Sequence, residues 1–229
     1  MFDVRKGTRY RAVLRWGLHQ VQRAATRITR VGERHNIRWL TYNPLLFVYF
    51  LGRSLADAPG VVRVLEELFP RAERYLDAGA GSGGCAAWLN QRGHAVVACE
   101  HSSMGRWLTR CLGVASERFD LTQSAPAPAV VGRFDIAYSF EVAEHLPEAL
   151  GQRLVEFIAD RSDCVVFTAA VPGQGGMGHV NEQPPEYWVE RFRASGLELD
   201  ELLTERARSG FRREAVADWF ANNAIVLRR

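Results

Sequence analysis

Lysine is almost missing from this chain of 229 residues: Lys6 is the only one among 29 basic side chains. No Tyr-x-x-x-Lys pair is therefore possible, which counts against a nicotinamide-dependent oxidoreductase. Uninterrupted apolar runs are short. The longest, Pro44 to Leu51, is far below the length of a membrane span and begins at a proline. The basic N-terminus has neither the apolar core nor the cleavage site of a signal peptide. The four cysteines (Cys85, Cys99, Cys111 and Cys164) are scattered, with no metal-type pair spacing, so buried reduced thiols and a cytoplasmic location are expected. Internal repeats and disordered low-complexity tracts are missing too; Ala125–Ala129 reads as a stiff loop.

What is present is unevenly charged. Residues 1–38 carry ten Lys/Arg against Asp3 and Glu33, a net of +8, so the rest holds about −5 of the overall +3. Leu14, Leu18, Val21, Ala25 and Ile28 follow a helical rhythm between arginines. Such a helix packs on the surface of its own domain, or meets an anionic acceptor, an acidic membrane surface or RNA. RNA is the weakest of these, because no stacking platform with interleaved basic residues lies elsewhere. Ile37 to Leu51 is dense in aromatics and reads best as a lid buried on the core, with an acceptor pocket or lipid contact as alternatives. With 47% hydrophobic residues the chain can bury one substantial core. Residues 1–56 thus form a helical extension or acceptor lid, and 57–229 a single binding domain.

From Asp57 onward, strand and helix patterns alternate. The expected elements are a helix capped by Asp57 or Ala58 and running to about Phe69, strand 74–78, helix 84–92, strand 95–99, helix 103–112 and a short strand near 114–119. Strand 134–139, helix 144–160, strand 164–169, helix 184–195, strand 197–204 and strand 224–228 follow, with a short helix between Arg212 and Phe220. Alternation of this kind gives an α/β fold: a doubly wound, mostly parallel seven-stranded sheet, with an antiparallel edge strand where the last crossover shortens.

The most informative stretch lies between Tyr75 and Glu100. A buried strand, Arg74 to Ala78, runs into a turn containing Gly79, Gly81 and Gly83, which lets a ligand approach the backbone closely. A helix follows, its N-terminal amides facing that ligand. A second strand ends in Glu100, placed to accept both hydroxyls of a ribose. The glycines fit G-x-G-x-x-G through Gly84 as well as G-x-G-x-G through Gly83. Asp77 favours the second, since a carboxylate there repels a pyrophosphate but suits a cationic amino-acid sulfonium. Tyr75-Leu-Asp-Ala-Gly-Ala-Gly-Ser-Gly83 resembles the first motif of class I S-adenosylmethionine-dependent methyltransferases. The resemblance implies S-adenosylmethionine as cofactor, held by Asp77, Gly79, Gly81, Gly83 and Glu100. It carries Asp120 over as the acceptor of the adenine amino group, with the backbone amide of Leu121 beside it. An Asx turn is the local alternative for Asp120.

A second feature is Phe134-Asp-Ile-Ala-Tyr-Ser-Phe-Glu-Val-Ala-Glu-His-Leu-Pro147. Its strand delivers Phe140 and Glu141 to the ligand edge. Glu141, Glu144 and His145, spaced i, i+3, i+4, converge on one face of a helical turn. A glycine-rich loop after the next strand brings His179 to the same edge. Glu141-x-x-Glu144-His145 followed by a loop histidine is similar to the metal site of ubiquinone-biosynthesis O-methyltransferases and small-RNA terminal 2′-O-methyltransferases. That similarity implies a divalent ion (Mg, Mn or Zn) on Glu141, Glu144, His145 and His179. Without a metal, His145 and His179 are the catalytic candidates, since histidine takes a proton near neutrality. The expected function is O-methylation of a small-molecule or lipid-linked hydroxyl acceptor. N-methylation is the near alternative, and a non-catalytic nucleoside-binding protein the distant one.

Overall fold

The period-two runs of this chain bury both of their faces, as a mostly parallel sheet between helical layers requires. The computed structural model describes the backbone of residues 8–35, 37, 40, 43–123 and 130–229, and the side chains of these from residue 20 onward, except residue 33. The strands are β1 (Arg74–Ala78), β2 (Ala95–Glu100), β3 (Ser116–Arg118), β4 (Ile136–Phe140), β5 (Cys164–Thr168), β6 (Glu198–Leu199) and β7 (Ile225–Arg228). The helices are α1 (Thr8–Arg34), α2 (Pro44–Leu68), α3 (Gly84–Gln91), α4 (Ser103–Cys111), α5 (Glu148–Ala159), α6 (Pro185–Ala194), α7 (Glu201–Arg213) and α8 (Asp218–Asn223).

The seven strands lie in the order β3-β2-β1-β4-β5-β7-β6. All pairs are parallel except those of β7, which runs antiparallel to both β5 and β6. Tyr75, Ile136, Tyr138, Val166 and Val226 point to one side, against Val61 and Leu65 of α2, Leu89 of α3 and Phe211 of α7. Leu76, Ala78, Ala137, Val165, Phe167 and Leu227 point to the other, against Leu154 and Ile158 of α5 and Trp188 and Phe192 of α6. Each large apolar side chain buried here stabilises the fold by about 1.5–3 kcal/mol. Asp135 ties the bottom of the sheet: its Oδ2 accepts the amides of Glu73 and Arg74, each at 2.8 Å. The four thiols are unpaired.

Several elements differ from the sequence reading. The helix expected to start near Asp57 begins at Pro44 and runs unbroken through Pro59. The reason is Asn43-Pro44: Asn43 Oδ1 accepts the Leu46 amide at 3.1 Å, and proline suits the first turn. Pro44 to Leu51 is therefore the start of α2, while the aromatic stretch before it lies partly, and Ala125–Ala129 wholly, outside the described residues. α2 is long and apolar enough to cross a membrane by length and composition, which uninterrupted runs miss because Arg53, Asp57 and Arg63 divide it. Its second half belongs to the core, with Ala58, Val61, Val62 and Leu65 fully buried.

The expected helix 144–160 is broken at Pro147 into a single tight turn, Ala143–His145, and α5. The expected strand 197–204 shrinks to β6. There Asp200 accepts the Leu203 amide at 2.9 Å and starts α7, so helix capping overrides the alternating leucines. The short helix placed between Arg212 and Phe220 lies later, as α8.

α1 packs on α2 through the buried Ala25 and Thr29. Asn43, 3% exposed, does three things: it caps α2, donates to Thr29 Oγ1 at 3.1 Å and donates to the Leu40 carbonyl at 2.9 Å. Asn43→Ala removes all three, and urea unfolding should show a loss of roughly 1–3 kcal/mol. A loss below a few tenths would mean that α1 is not held through this residue.

Candidate active site

The chain winds one way from β1 through β2 to β3 and the other way from β4 onward, so the loops after β1 and β4 part at the sheet's carboxyl edge. The turn after β1, Ser102 after β2, Asp120 after β3, Glu141 to His145 after β4 and the loop after β5 all reach this edge.

The glycine turn is built for close approach. Gly79, Gly81 and Gly83 have φ of 93°, 55° and 79°, where side chains are strained. A Cβ on Gly79 would lie 2.5 Å from Val142, and one on Gly83 2.5 Å from Thr109. Gly81 differs, because nothing lies within 4 Å of its Cβ position. That is where the backbone faces open space. Glu100 holds the turn in place, Oε2 accepting the Gly81 amide at 2.8 Å and Oε1 the Ser102 amide at 2.6 Å. Each oxygen retains a lone pair for a further donor. Burial raises the pKa of Glu100, and the two amides work against that rise.

Asp77 stands opposite Tyr138 in the β1–β4 register and is 4% exposed. Burial, with the Glu100 carboxylate adding to it, pushes its pKa up to about 8, while the Tyr138 hydroxyl works the other way. A buried acid of this kind lacks a cation.

Asp120 is occupied by its own turn. It accepts from the Thr122 amide and hydroxyl, from Gln123 and from Arg118, and these donors, Thr122 first, hold its pKa low. The Asx-turn alternative is thus realised. The Leu121 carbonyl accepts from Arg153 at 2.7 Å, while its side chain packs on the core. Phe140 stacks on Tyr138 at 4.9 Å and meets Phe220 edge-on.

Of Glu141, Glu144, His145 and His179, the structure brings the last three together: a ligand-type atom from each lies within 4.8 Å of the others. Glu144 is fully buried, and neither carboxylate oxygen has a partner at hydrogen-bonding geometry among the described residues. Burial, followed by the neighbouring Glu141 charge, raises its pKa well above the usual range; the amide dipoles of Glu144 and Ala170 offset this only in part. His145 Nδ1 donates to the Gly178 carbonyl at 3.3 Å. Burial and His179 together push the His145 pKa down to about 4, so the ring is neutral at pH 7 with Nε2 unprotonated. The two imidazoles meet edge to face at 4.9 Å, and His179 Nε2 lies 4.0 Å from Glu144 Oε1.

Glu141 faces elsewhere. It sits at a φ of 55° and accepts from Gln174 at 2.9 Å and Asn223 at 3.4 Å. Residues that the sequence reading passed over complete the edge: Glu182 bonded to His179 at 2.8 Å, Gln174, Asn223, and Ser54 of α2, which a methyl on Gly84 would overlap. A carboxylate three residues after His179 was the one local signal for Glu182. Ser54 and Asn223 had none, since only the fold carries them there.

No family model and no curated protein matches the chain. Solved structures do. The sugar N-methyltransferase KedS8 from Streptoalloteichus sp ATCC 53650 superposes with a TM-score of 0.59 at 17% identity, over 80% of this chain and 91% of its own. CalS10, an amino pentose methyltransferase from Micromonospora echinaspora, gives 0.54 at 17% identity, over 76% and 90%. The fold is that of class I S-adenosylmethionine-dependent methyltransferases. The [4+2]-cyclase SpnF shares it, with a TM-score of 0.51 at 19% identity over 73% of this chain and 79% of its own. The fold alone therefore does not dictate the reaction.

The residues present fit S-adenosylmethionine. Gly81 faces open space beside a helix N-terminus, Glu100 keeps free lone pairs, and Asp77 is a buried acid awaiting a cation. The folded state holds the Asp77 proton more tightly than the unfolded chain does, so this group costs stability as pH rises towards 8. Asp77→Asn should gain on the wild type by up to ~1.4 kcal/mol per pH unit between pH 5 and 8, while losing affinity for S-adenosylhomocysteine. Urea unfolding at three pH values checks the first and calorimetry the second. Parallel stability curves would refute the assignment.

Proposed function

We propose that this protein is an S-adenosylmethionine-dependent methyltransferase acting on a small molecule, with nitrogen as the favoured acceptor atom. The observation that carries it is the carboxyl edge of the sheet. A glycine turn open at Gly81 and clamped by Glu100 adjoins the buried acid of Glu144 with two histidines. The nitrogen preference draws support from KedS8 and CalS10, which act on a sugar nitrogen and an amino pentose by their descriptions. It also suits the charge at the edge: among the described residues, no arginine lies within ion-pair distance of Asp77, Glu141 or Glu144.

The cofactor, when bound, supplies a methyl group on a sulfonium, already a good leaving group. The chain's own residues do the rest. Gly79 to Gly83 cradle the bound group, Glu100 accepts from its ribose, and Asp77 faces its cationic end. An acceptor ammonium must shed a proton before its lone pair can react. His179 is placed to take that proton, while His145, held neutral with a pKa of about 4, offers its free Nε2 as a hydrogen-bond acceptor. Holding acceptor and methyl in line supplies much of the remaining acceleration.

The second reading, O-methylation with a divalent ion, rests on Glu144 having no partner. Glu144, His145 and His179 form a mixed oxygen and nitrogen donor set suited to Zn²⁺ or Mn²⁺, and such an ion would lower the pKa of a bound hydroxyl. The similarity to ubiquinone-biosynthesis O-methyltransferases remains one of motif, with Glu141 turned to Gln174 and Asn223.

Mass spectrometry after incubation with S-adenosylmethionine and matched amino and hydroxy sugars separates the readings. Mass gain of one methyl on the amino compounds, insensitive to EDTA and reduced about 10²–10⁴-fold in His179→Ala, supports the first. Methylation of the hydroxy compounds that EDTA and Glu144→Ala abolish supports the second. Cofactor binding with no methylated product from either set removes both.

We also propose that α1 and the start of α2 meet an acidic membrane surface. Val31, Leu45 and Val48 are exposed beside the exposed Arg27, Arg30 and Arg34. Deletion of residues 1–32 should weaken co-sedimentation with anionic vesicles and leave affinity for S-adenosylhomocysteine unchanged. Equal vesicle binding would end the idea.

A further inference from the structure

Between β5 and α6 the chain passes through Gly173, Gly175, Gly176 and Gly178, yet this loop is not loosely held. Glu182 gathers it. One oxygen, Oε2, accepts the Gly173 amide at 2.9 Å; the other, Oε1, accepts the Gly175 amide at 2.9 Å and stands 2.8 Å from His179 Nδ1. Two backbone amides and one imidazole from the same loop thus converge on a single carboxylate. Each Glu182 oxygen already faces a backbone N–H, so the carboxylate stands in this loop as an acceptor. An oxygen that already accepts an amide requires a donor at 2.8 Å, so His179 carries a proton on Nδ1 and turns its Nε2 edge towards Glu144 Oε1, 4.0 Å away, and the His145 ring.

The backbone cooperates. The His179 imidazole lies across Gly176, where any Cβ would overlap its Nε2 edge. The amides of Val180 and Asn181 both bond to the Glu144 carbonyl, at 2.8 and 3.0 Å, which pins the far end of the loop to the turn carrying Glu144 and His145. His179 therefore reaches the cluster on an arm tied at both ends. Among the described residues Glu182 is the hydrogen-bond partner of the His179 ring, which otherwise packs on the His145 ring and on Gly176.

We propose that Glu182 is the positioning residue of the site: it fixes the tautomer and orientation of His179, so that an unprotonated Nε2 faces Glu144 and His145. This rests on the reading of His179 as a working residue, whether as proton acceptor or as metal ligand. In either role Nε2 must be free, and an outer carboxylate on the remote nitrogen is what secures it.

Glu182→Gln and Glu182→Ala separate positioning from loop anchoring. In Gln the single oxygen is drawn to the Oε1 place, where it keeps two donors, His179 Nδ1 and the Gly175 amide, instead of one at Oε2. Gln thus gives up the Gly173 bond and retains the tautomer, whereas Ala loses both. Long-range ¹H–¹⁵N correlation spectra of ¹⁵N-histidine-labelled protein report which ring nitrogen bears the proton. The expected result is an Nδ1–H tautomer for His179 in the wild type and Glu182→Gln, and a mixture or the Nε2–H form in Glu182→Ala. Zn²⁺ titration should follow the same order, with affinity unchanged or slightly lower in Gln and about 10–100-fold lower in Ala.

A wild-type His179 found as the Nε2–H tautomer overturns the proposal, and so does a tautomer unmoved in Glu182→Ala. The wild-type spectrum decides even if the Ala variant does not fold. Calorimetry with S-adenosylhomocysteine on the same samples keeps the two claims apart. Loss of cofactor binding in the wild type refutes the methyltransferase reading, whereas normal binding beside a wrong tautomer refutes only the role of Glu182.

Discussion

Everything at the functional edge depends on the reversal of winding between β1 and β4. Because β2 and β3 are laid down on one side of β1 and β4 and β5 on the other, the connecting loops diverge above the middle of the sheet. The register across that divide places Asp77 beside Tyr138, and the loops above it bring Val142 onto Gly79. A ligand in the crevice therefore touches two loops that belong to opposite halves of the chain. Neither half builds the site alone.

Around this crevice the molecule tolerates costs that a purely structural core would avoid. Among the described residues no cation pairs with the buried Asp77 and no donor bonds to the buried Glu144 carboxylate, and Glu141 adopts a left-handed backbone conformation. Each carries a free-energy penalty of order 1–3 kcal/mol. By contrast, Asp135 at the opposite end of the sheet accepts two amides on one oxygen. At the carboxyl edge Glu100, Glu141 and Glu182 are likewise bonded, so Glu144 is the acid that stands apart.

The two clusters at this edge use histidine and carboxylate in different ways. Glu100 is an anchor whose oxygens are already half engaged by backbone amides, so it shapes the turn before any ligand arrives. Glu144 is held away from donors, and its neighbours are rings whose remote nitrogens are tied off by Gly178 and Glu182. The two clusters are joined by the turn from Glu141 to His145.

The sequence by itself determined the strand-turn-helix around Gly79 to Gly83, the acid at the end of β2 and the alternating sheet, and it set His145 and His179 at one edge of that sheet. These follow from local rules: glycine where φ is positive, period-two burial, and an acid at a strand end. Tertiary structure decided the rest. Asn43 caps α2 while held by Thr29 of α1, and Asp200 caps α7 while its amide is held by the Val226 carbonyl of β7, contacts that a local pattern does not carry. The separation of Glu141 from Glu144 came from Gln174 and Asn223, 33 and 82 residues away along the chain, whose amides reach it only once β5 and α8 are in place. Spacing along a chain places side chains on a common face. Which of them share a partner is set by the donors that other elements bring, and those distances exist only in the folded protein.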